Sequence, residues 1–241
     1  CKPGSRFNVC VPTGNFGNIF AAYLAKLMGL PIAHLICASN SNNVLTDFLR
    51  TGTYDRNRDF HMTISPSMDI LISSNLERLL YFIAGSEKTE GWMRELKETG
   101  KYTVDADTFR EIRKHFIGYY TSEEDTVSTI RQTWRDGDYL ADPHTAVAIH
   151  AAKSYMGEFN DGIPMVVDST ASPFKFAASV YSALTGENMP ESTDAPDQLS
   201  ELTKVRIPYP LAGLAKRPVR FTRVCEVNEM RDVVMEFVKK K

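Results

Sequence analysis

Six consecutive residues, Thr13-Gly14-Asn15-Phe16-Gly17-Asn18, have the types and spacing that suit an anion. Two glycines three positions apart let the backbone turn tightly and leave several amide N–H groups unshielded. The residues before them alternate, with Phe7, Val9 and Val11 set against Asn8 and Cys10, and end at Pro12 as a short strand does. The residues after them have helical spacing: Ile19, Phe20, Tyr23, Leu24, Leu27 and Met28 form a stripe that stops at Gly29, with Pro31 beyond. A glycine turn between strand and helix places free N–H groups at the positive end of a helix, a setting that favours phosphate. The same turn also serves as a plain βα connection, and the residues alone leave the two readings even. Neither G-x-G-x-x-G nor G-x-x-x-x-G-K-S/T occurs here, which excludes the dinucleotide fingerprint and the nucleotide P-loop.

Other polar residues could also do chemistry. In Asp142-Pro143-His144 the aspartate suits an N-cap and the proline a first helical position, which puts His144 in the first turn beside a positive helix end that favours the neutral imidazole. There it could contact substrate or relay a proton, and structural packing is an equal alternative. Ser169 and Thr170 follow the apolar run Ile163 to Val167 and so sit at the carboxyl end of an expected strand. His34, within a second apolar run, reads as packed in or at the edge of a sheet, with a catalytic base as the lesser alternative. The acidic cluster Glu123-Glu124-Asp125 behind Thr121-Ser122 has the pattern of a capped helix start rather than of a metal site. We expect no metal.

The positioning elements read as α/β. Ile32 to Ala38 is an apolar run bounded by polar residues, as in a parallel strand covered on both faces, and Val44 to Leu49 carries a short helix ended by Gly52. Strand, helix, strand, helix with brief connections predicts right-handed crossovers and a parallel sheet flanked by helices, with ligands at the carboxyl ends of the strands. Phe60 to Ile64 reads as a third strand, and Asp69 as the cap of a helix from Ile70 to Ala84. From Glu87 to Asp138 the expectation is helical, as Glu87 to Thr99, Asp105 to His115 and Ser122 to Asp136, with Gly100, Gly118 and Gly137 as punctuation. Ile163 to Asp168 reads as another buried strand, Phe174 to Leu184 as a helix, Met189 to Gln198 as a polar loop, and Val227 to Lys239 as an amphipathic helix.

Four segments in one order give a resemblance. Val11 to Asn18, Ser65-Pro66-Ser67-Met68-Asp69-Ile70 with Ser74 to Arg78, Asp142 to Ala148, and Ser169-Thr170-Ala171-Ser172-Pro173-Phe174-Lys175-Phe176 resemble threonine synthase, a fold-type II pyridoxal-phosphate (PLP) enzyme with a tryptophan synthase β-like fold. The resemblance runs from about Phe7 to Gly186. It implies that Gly14, Asn15, Phe16, Gly17 and Asn18 hold the cofactor phosphate. It further implies that Thr170 faces the pyridine nitrogen, a neutral partner that does not force this nitrogen to be protonated and so moderates the electron sink. The segment from Ser65 falls near the rim of the site without an assigned role. Ser172 departs from the histidine often found at that motif position, and Lys175 matches a family lysine that is not the Schiff-base residue. That Schiff-base lysine lies upstream of the phosphate loop in the family.

The resemblance therefore implies that residues 1–241 are the carboxyl-terminal part of the large PLP-binding domain, with a helical insert at about 69–138, and that the small domain and the lysine lie outside the chain. The implied parent reaction converts O-phospho-L-homoserine and water to L-threonine and phosphate, and the chain alone is expected to be inactive. The chain starts at Cys1 just ahead of the first strand, which fits the same expectation, as does self-association through surface left bare by the missing half. Two alternatives stay open: another fold-type II lyase such as a threonine or serine dehydratase, and a non-catalytic phosphate-binding module.

Composition narrows the classes further. The 241 residues carry a net charge of −2 with 43% hydrophobic and 24% charged residues, ample for a real core. Lys239 to Lys241 is the longest basic run, so nothing marks a nucleic-acid binder. No apolar stretch approaches spanning length, and no membrane partner is expected. Cys1, Cys10, Cys37 and Cys225 lack metal-ligand or C-x-x-C spacing, which predicts free thiols and a cytoplasmic protein.

Overall fold

The computed structural model describes residues 4–239, which divide into two compact units at Ile207/Pro208. In the first unit, β1 (Phe7–Pro12), β2 (Ile32–Ser39), β5 (Phe116–Tyr120) and β6 (Met165–Val167) form a parallel sheet in the order β5-β2-β1-β6. The register aligns Val11 with Cys37 and Ala38 with Tyr119, so the carboxyl ends of the strands reach one edge together. Parallel strands require crossovers, and helices supply them: α1 (Gly17–Leu27), α2 (Val44–Thr51) and α7 (Pro143–Phe159).

The apolar runs predicted for β1 and β2 are covered on both faces. One cluster joins Val9, Val11, Ile19, Phe20, Leu35, Phe48 and Phe116. On the other face Cys10, Ile36 and Ala38 pack on Val147, Ala148, Ala151 and Ala152 of α7. Small residues at those four α7 positions let the helix lie close against the sheet, and the Cys10 thiol donates to the Ala148 carbonyl at 3.2 Å.

Several expectations are corrected. Phe60 to Ile64 is no strand. Phe60 and Met62 are exposed, and the segment is tied down by polar groups instead, with the Asn42 amide donating to the His61 carbonyl at 2.8 Å. Asp69 caps no helix: a single 3-10 turn spans Pro66–Met68, and the α-helix starts only at Leu76, as α3 (Leu76–Ala84). The Asp69 carboxylate accepts from the Thr63 amide at 2.8 Å and from the Asn40 and Asn42 side-chain amides at 2.8 and 3.0 Å, so loop groups compete successfully for it.

The segment expected as a helical insert also contains strands. With β3 (Thr53–Asp55), β4 (Lys101–Thr103) makes a two-stranded antiparallel ribbon, and β5 is an edge of the main sheet. Its helices are α3, α4 (Ser86–Thr99), α5 (Ala106–Arg113) and α6 (Glu123–Gly137), the last two capped by Asp105 and Ser122 as their sequences suggest. β6 is an edge strand with Val166 exposed, not a buried one: an apolar run reads alike whether one face or two are covered. Past it come a 3-10 turn (Pro173–Phe176), α8 (Ala177–Thr185) and α9 (Ala195–Thr203), which takes up the end of the expected polar loop.

The second unit, described by itself, holds the 3-10 turns Leu214–Lys216 and Val227–Glu229 and the helix α10 (Met230–Lys239). Glu226 and Glu229 form a capping box there, and Arg223 pairs with Glu236 at 2.6 Å.

Candidate active site

At the carboxyl edge of the sheet a cleft of about 280 Å³ is bordered by Gly14, Asn15, Phe16, Gly17, Asn18, Ser67, Asn75, His144, Thr170 and Lys175. Gly14 to Asn18, His144 and Thr170, the cofactor and catalytic candidates expected from sequence, thus meet in one place. The strand ends put them there. The Thr13 amide donates to the Ala38 carbonyl and the Asp168 amide to the Cys10 carbonyl, at 2.8 and 2.9 Å, which extends the pairing one step beyond β1 and β6 before the chain turns into the cleft.

The loop between β1 and α1 differs from its sequence reading in one respect. Its left-handed residue is Phe16, with φ of 64°, and neither Gly14 nor Gly17 has positive φ. A bulky residue in that region is strained, by about 1–3 kcal/mol, and is held only when its surroundings fix it. The Phe16 ring is buried, with its centroid 5.5 Å from that of Phe116. Phe16 is also the N-cap of α1 and offers no side-chain hydrogen bond, and no acidic residue stands in the first turn. The first amides of α1 therefore keep their donors for something outside the helix.

Gly14 is needed for room. A Cβ there would lie 2.9 Å from the Ser67 carbonyl oxygen and 3.1 Å from Met68 Cα. The loop is braced from the same side: Ser73 Oγ donates to the Gly14 carbonyl at 2.8 Å, and the Asn75 amide donates to the Asn15 carbonyl at 3.1 Å. Sequence reasoning left these bracing residues without a role. Their signal was weak, a serine-rich turn running into a helix expected from Ile70.

Asp142 caps α7 as expected, accepting from the His144 and Thr145 amides at 2.9 and 3.4 Å. Its carboxylate is buried, takes the Thr145 hydroxyl on Oδ2, and lies 2.9 Å from His144 Nδ1. Thr145 Oγ1 lies 3.3 Å from Ser169 Oγ, which is 2.8 Å from the Tyr139 hydroxyl. Thr170 itself is exposed at the rim, and Lys175 Nζ stands 5.4 Å from the centre of the Phe176 ring. His34 lies near the amino end of β2, away from these groups, with Nδ1 3.1 Å from the Tyr155 hydroxyl. No cluster of three or more metal-ligating side chains occurs among the described residues.

Comparison with known proteins places the chain beside one family. A sequence signature described as "Threonine synthase, C-terminal" matches residues 145–234. The threonine synthase of Saccharomyces cerevisiae is 36% identical over 253 residues, covering 98% of this chain and 47% of that protein. The crystal structure of PLP-bound threonine synthase from Brucella melitensis superposes with a TM-score of 0.81 at 37% identity, covering 99% of this chain and 47% of that one. The chain corresponds to the carboxyl-terminal part of the threonine synthases. Human threonine synthase-like 1 is 41% identical over 196 residues, covering 80% of this chain and 26% of that protein. The chain thus spans about half the length of the yeast enzyme and about a quarter of the human protein. No helix among the described residues is long and apolar enough to cross a membrane, and Cys10, Cys37 and Cys225 are free thiols, while Cys1 lies outside the described residues.

The residues present fit PLP. An uncapped helix start with no acidic side chain near it suits a phosphate, and the neutral Thr170 hydroxyl across the same cleft suits a pyridine nitrogen.

Proposed function

We propose that this chain is the cofactor-holding part of the large domain of a threonine synthase, a cytoplasmic PLP enzyme that converts O-phospho-L-homoserine and water to L-threonine and phosphate. The observation that carries the reading is the uncapped amino end of α1 opening on the same cleft as Thr170. Bound there, PLP supplies the electron sink for proton removal next to the substrate amino group.

This chain's residues bind and orient. The amides of Gly17, Asn18 and Ile19, at the start of α1, bear the phosphate charge, helped by the helix dipole. Phe16, fixed by its buried ring, sets the direction in which those amides point. Thr170 sets the tilt of the ring by offering one hydroxyl to its nitrogen. The 65–75 segment walls the cleft on one side and braces the Gly14 and Asn15 carbonyls.

The Schiff-base lysine is assigned to a segment upstream of the loop, along with the small domain, so turnover requires that partner half. The exposed Tyr81, Phe82 and Val166 support a second expectation, that the isolated chain self-associates. The test compares phosphate release from O-phosphohomoserine by this chain and by the same chain preceded by the upstream half. Release by the longer chain alone supports the reading, and release by the 241-residue chain overturns the assignment of the lysine.

A further inference from the structure

His144 is placed at the cleft, yet both of its ring nitrogens are already committed. Nε2 lies 3.2 Å from the backbone nitrogen of Ser67, a group that can only donate. Nε2 is therefore the lone-pair nitrogen, the proton sits on Nδ1, and Nδ1 donates to Asp142 Oδ1 at 2.9 Å. The imidazole is buried beside the Phe176 ring, with centroids 4.7 Å apart, so it can neither swing toward a ligand nor exchange its partners freely. Asp142 is equally fixed, because the same carboxylate caps α7.

Ser67 carries the connection onward. Its amide is held by His144, and its carbonyl is the atom against which Gly14 must lack a Cβ. From there the same segment reaches Ser73, which grips the Gly14 carbonyl, and Asn75, which grips the Asn15 carbonyl. We propose that Asp142 and His144 are a positioning pair: they hold the 65–75 segment against the anion loop, and through it fix the loop's amides for the cofactor phosphate. His144 then acts as a lone-pair acceptor for a backbone amide and not as a proton relay to substrate. The inference rests on the PLP reading for its consequence, while its geometry can be tested without the cofactor.

The two ring nitrogens can be separated by substitution. In His144→Gln the side-chain oxygen can reach the place of Nε2 and accept from Ser67, whereas in His144→Asn the side chain reaches only as far as Nδ1 and keeps the contact with Asp142. Hydrogen exchange of the 65–70 amides is followed in both variants, with PLP affinity measured in parallel by calorimetry. The expected result is that H144N speeds exchange at Ser67 by about tenfold and weakens PLP by a similar factor, while H144Q stays close to the parent in both.

Equal behaviour of the two variants, or unchanged exchange at Ser67 in H144N, overturns the proposal. Exchange that splits as expected without any PLP binding keeps the positioning pair and defeats the cofactor reading instead. A measurement on the unsubstituted chain covers the case in which H144N fails to fold. Nitrogen-15 NMR of the His144 ring at neutral pH should show the neutral form protonated at Nδ1. The Nε2-protonated form or the imidazolium would contradict the assignment.

Discussion

At Gly14 the requirement is space, not dihedral freedom. Gly14→Ala sets a Cβ 2.9 Å from the Ser67 carbonyl, and because the neighbour is backbone, the loop itself must move. Overpacking of this kind costs about 1–3 kcal/mol, and the same displacement should weaken PLP by about tenfold or more, read by calorimetry. Gly17→Ala meets only the Asn75 side-chain nitrogen, at 3.4 Å, and should bind within a few-fold of the parent. The sequence made both glycines look alike, since spacing carries no information about what packs over a loop. It was equally silent on Phe16, whose left-handed backbone follows from a ring locked into the core from a distant strand. The thiols make a second residue-scale prediction. Burial pushes the Cys10 thiol well up and Cys37 up to about 12, so neither is a thiolate at neutral pH. Brief treatment with iodoacetamide should label Cys225 and leave Cys10 and Cys37 untouched until the chain is unfolded, as read by mass spectrometry of the peptides.

The elements that were legible from sequence are those whose neighbours in the chain are also their neighbours in space. β1, α1, β2 and α2 follow one another with short connections, and their apolar periods match the burial of Val9, Val11, Ile19, Phe20, Leu35 and Ile36. β5 was missed because Phe116 to Tyr120 sits between charged helices and contains Gly118, which looks like punctuation. Its partner β2 is about eighty residues away, so no local pattern marks it. Gly118 is in fact the point at which α2 touches the sheet: an added Cβ would lie 2.9 Å from Thr46 Cα. Thr46 Oγ1 also donates to the Tyr119 carbonyl at 2.8 Å, and Arg50 Nε to the Gly118 carbonyl at 3.2 Å. Gly118→Ala should therefore destabilise the chain by about 1–3 kcal/mol in urea unfolding. A glycine serving merely as a helix break would tolerate alanine with no loss.

For the whole molecule, pH enters through the amino edge of the sheet. Burial, then Lys26 and Arg6, hold the His34 imidazole below its usual range, with Asp161 opposing, and burial does the same to His115 against Glu111. The unfolded chain thus takes up these protons before the folded chain does. Their contribution to stability is complete above about pH 6.5 and is lost as pH falls from there through the lowered folded values. The Tyr155 hydroxyl donates to Asp161 at 2.8 Å and so accepts from His34 Nδ1, which leaves the neutral imidazole well satisfied. His34→Gln should flatten the fall in Tm between about pH 7 and pH 5. An unchanged slope would show that His34 is not one of the groups responsible.

The proposed seat of the PLP phosphate is the turn after β1 and the start of α1. The most direct measurement is phosphorus-31 NMR of PLP titrated with this chain, beside its Gly14→Ala variant and with inorganic phosphate as competitor. A phosphate seated there should give a saturable shift of the PLP phosphate resonance, reversed by inorganic phosphate and lost or much weakened in G14A. A resonance that the chain leaves unmoved, or that moves equally with the variant, would contradict it.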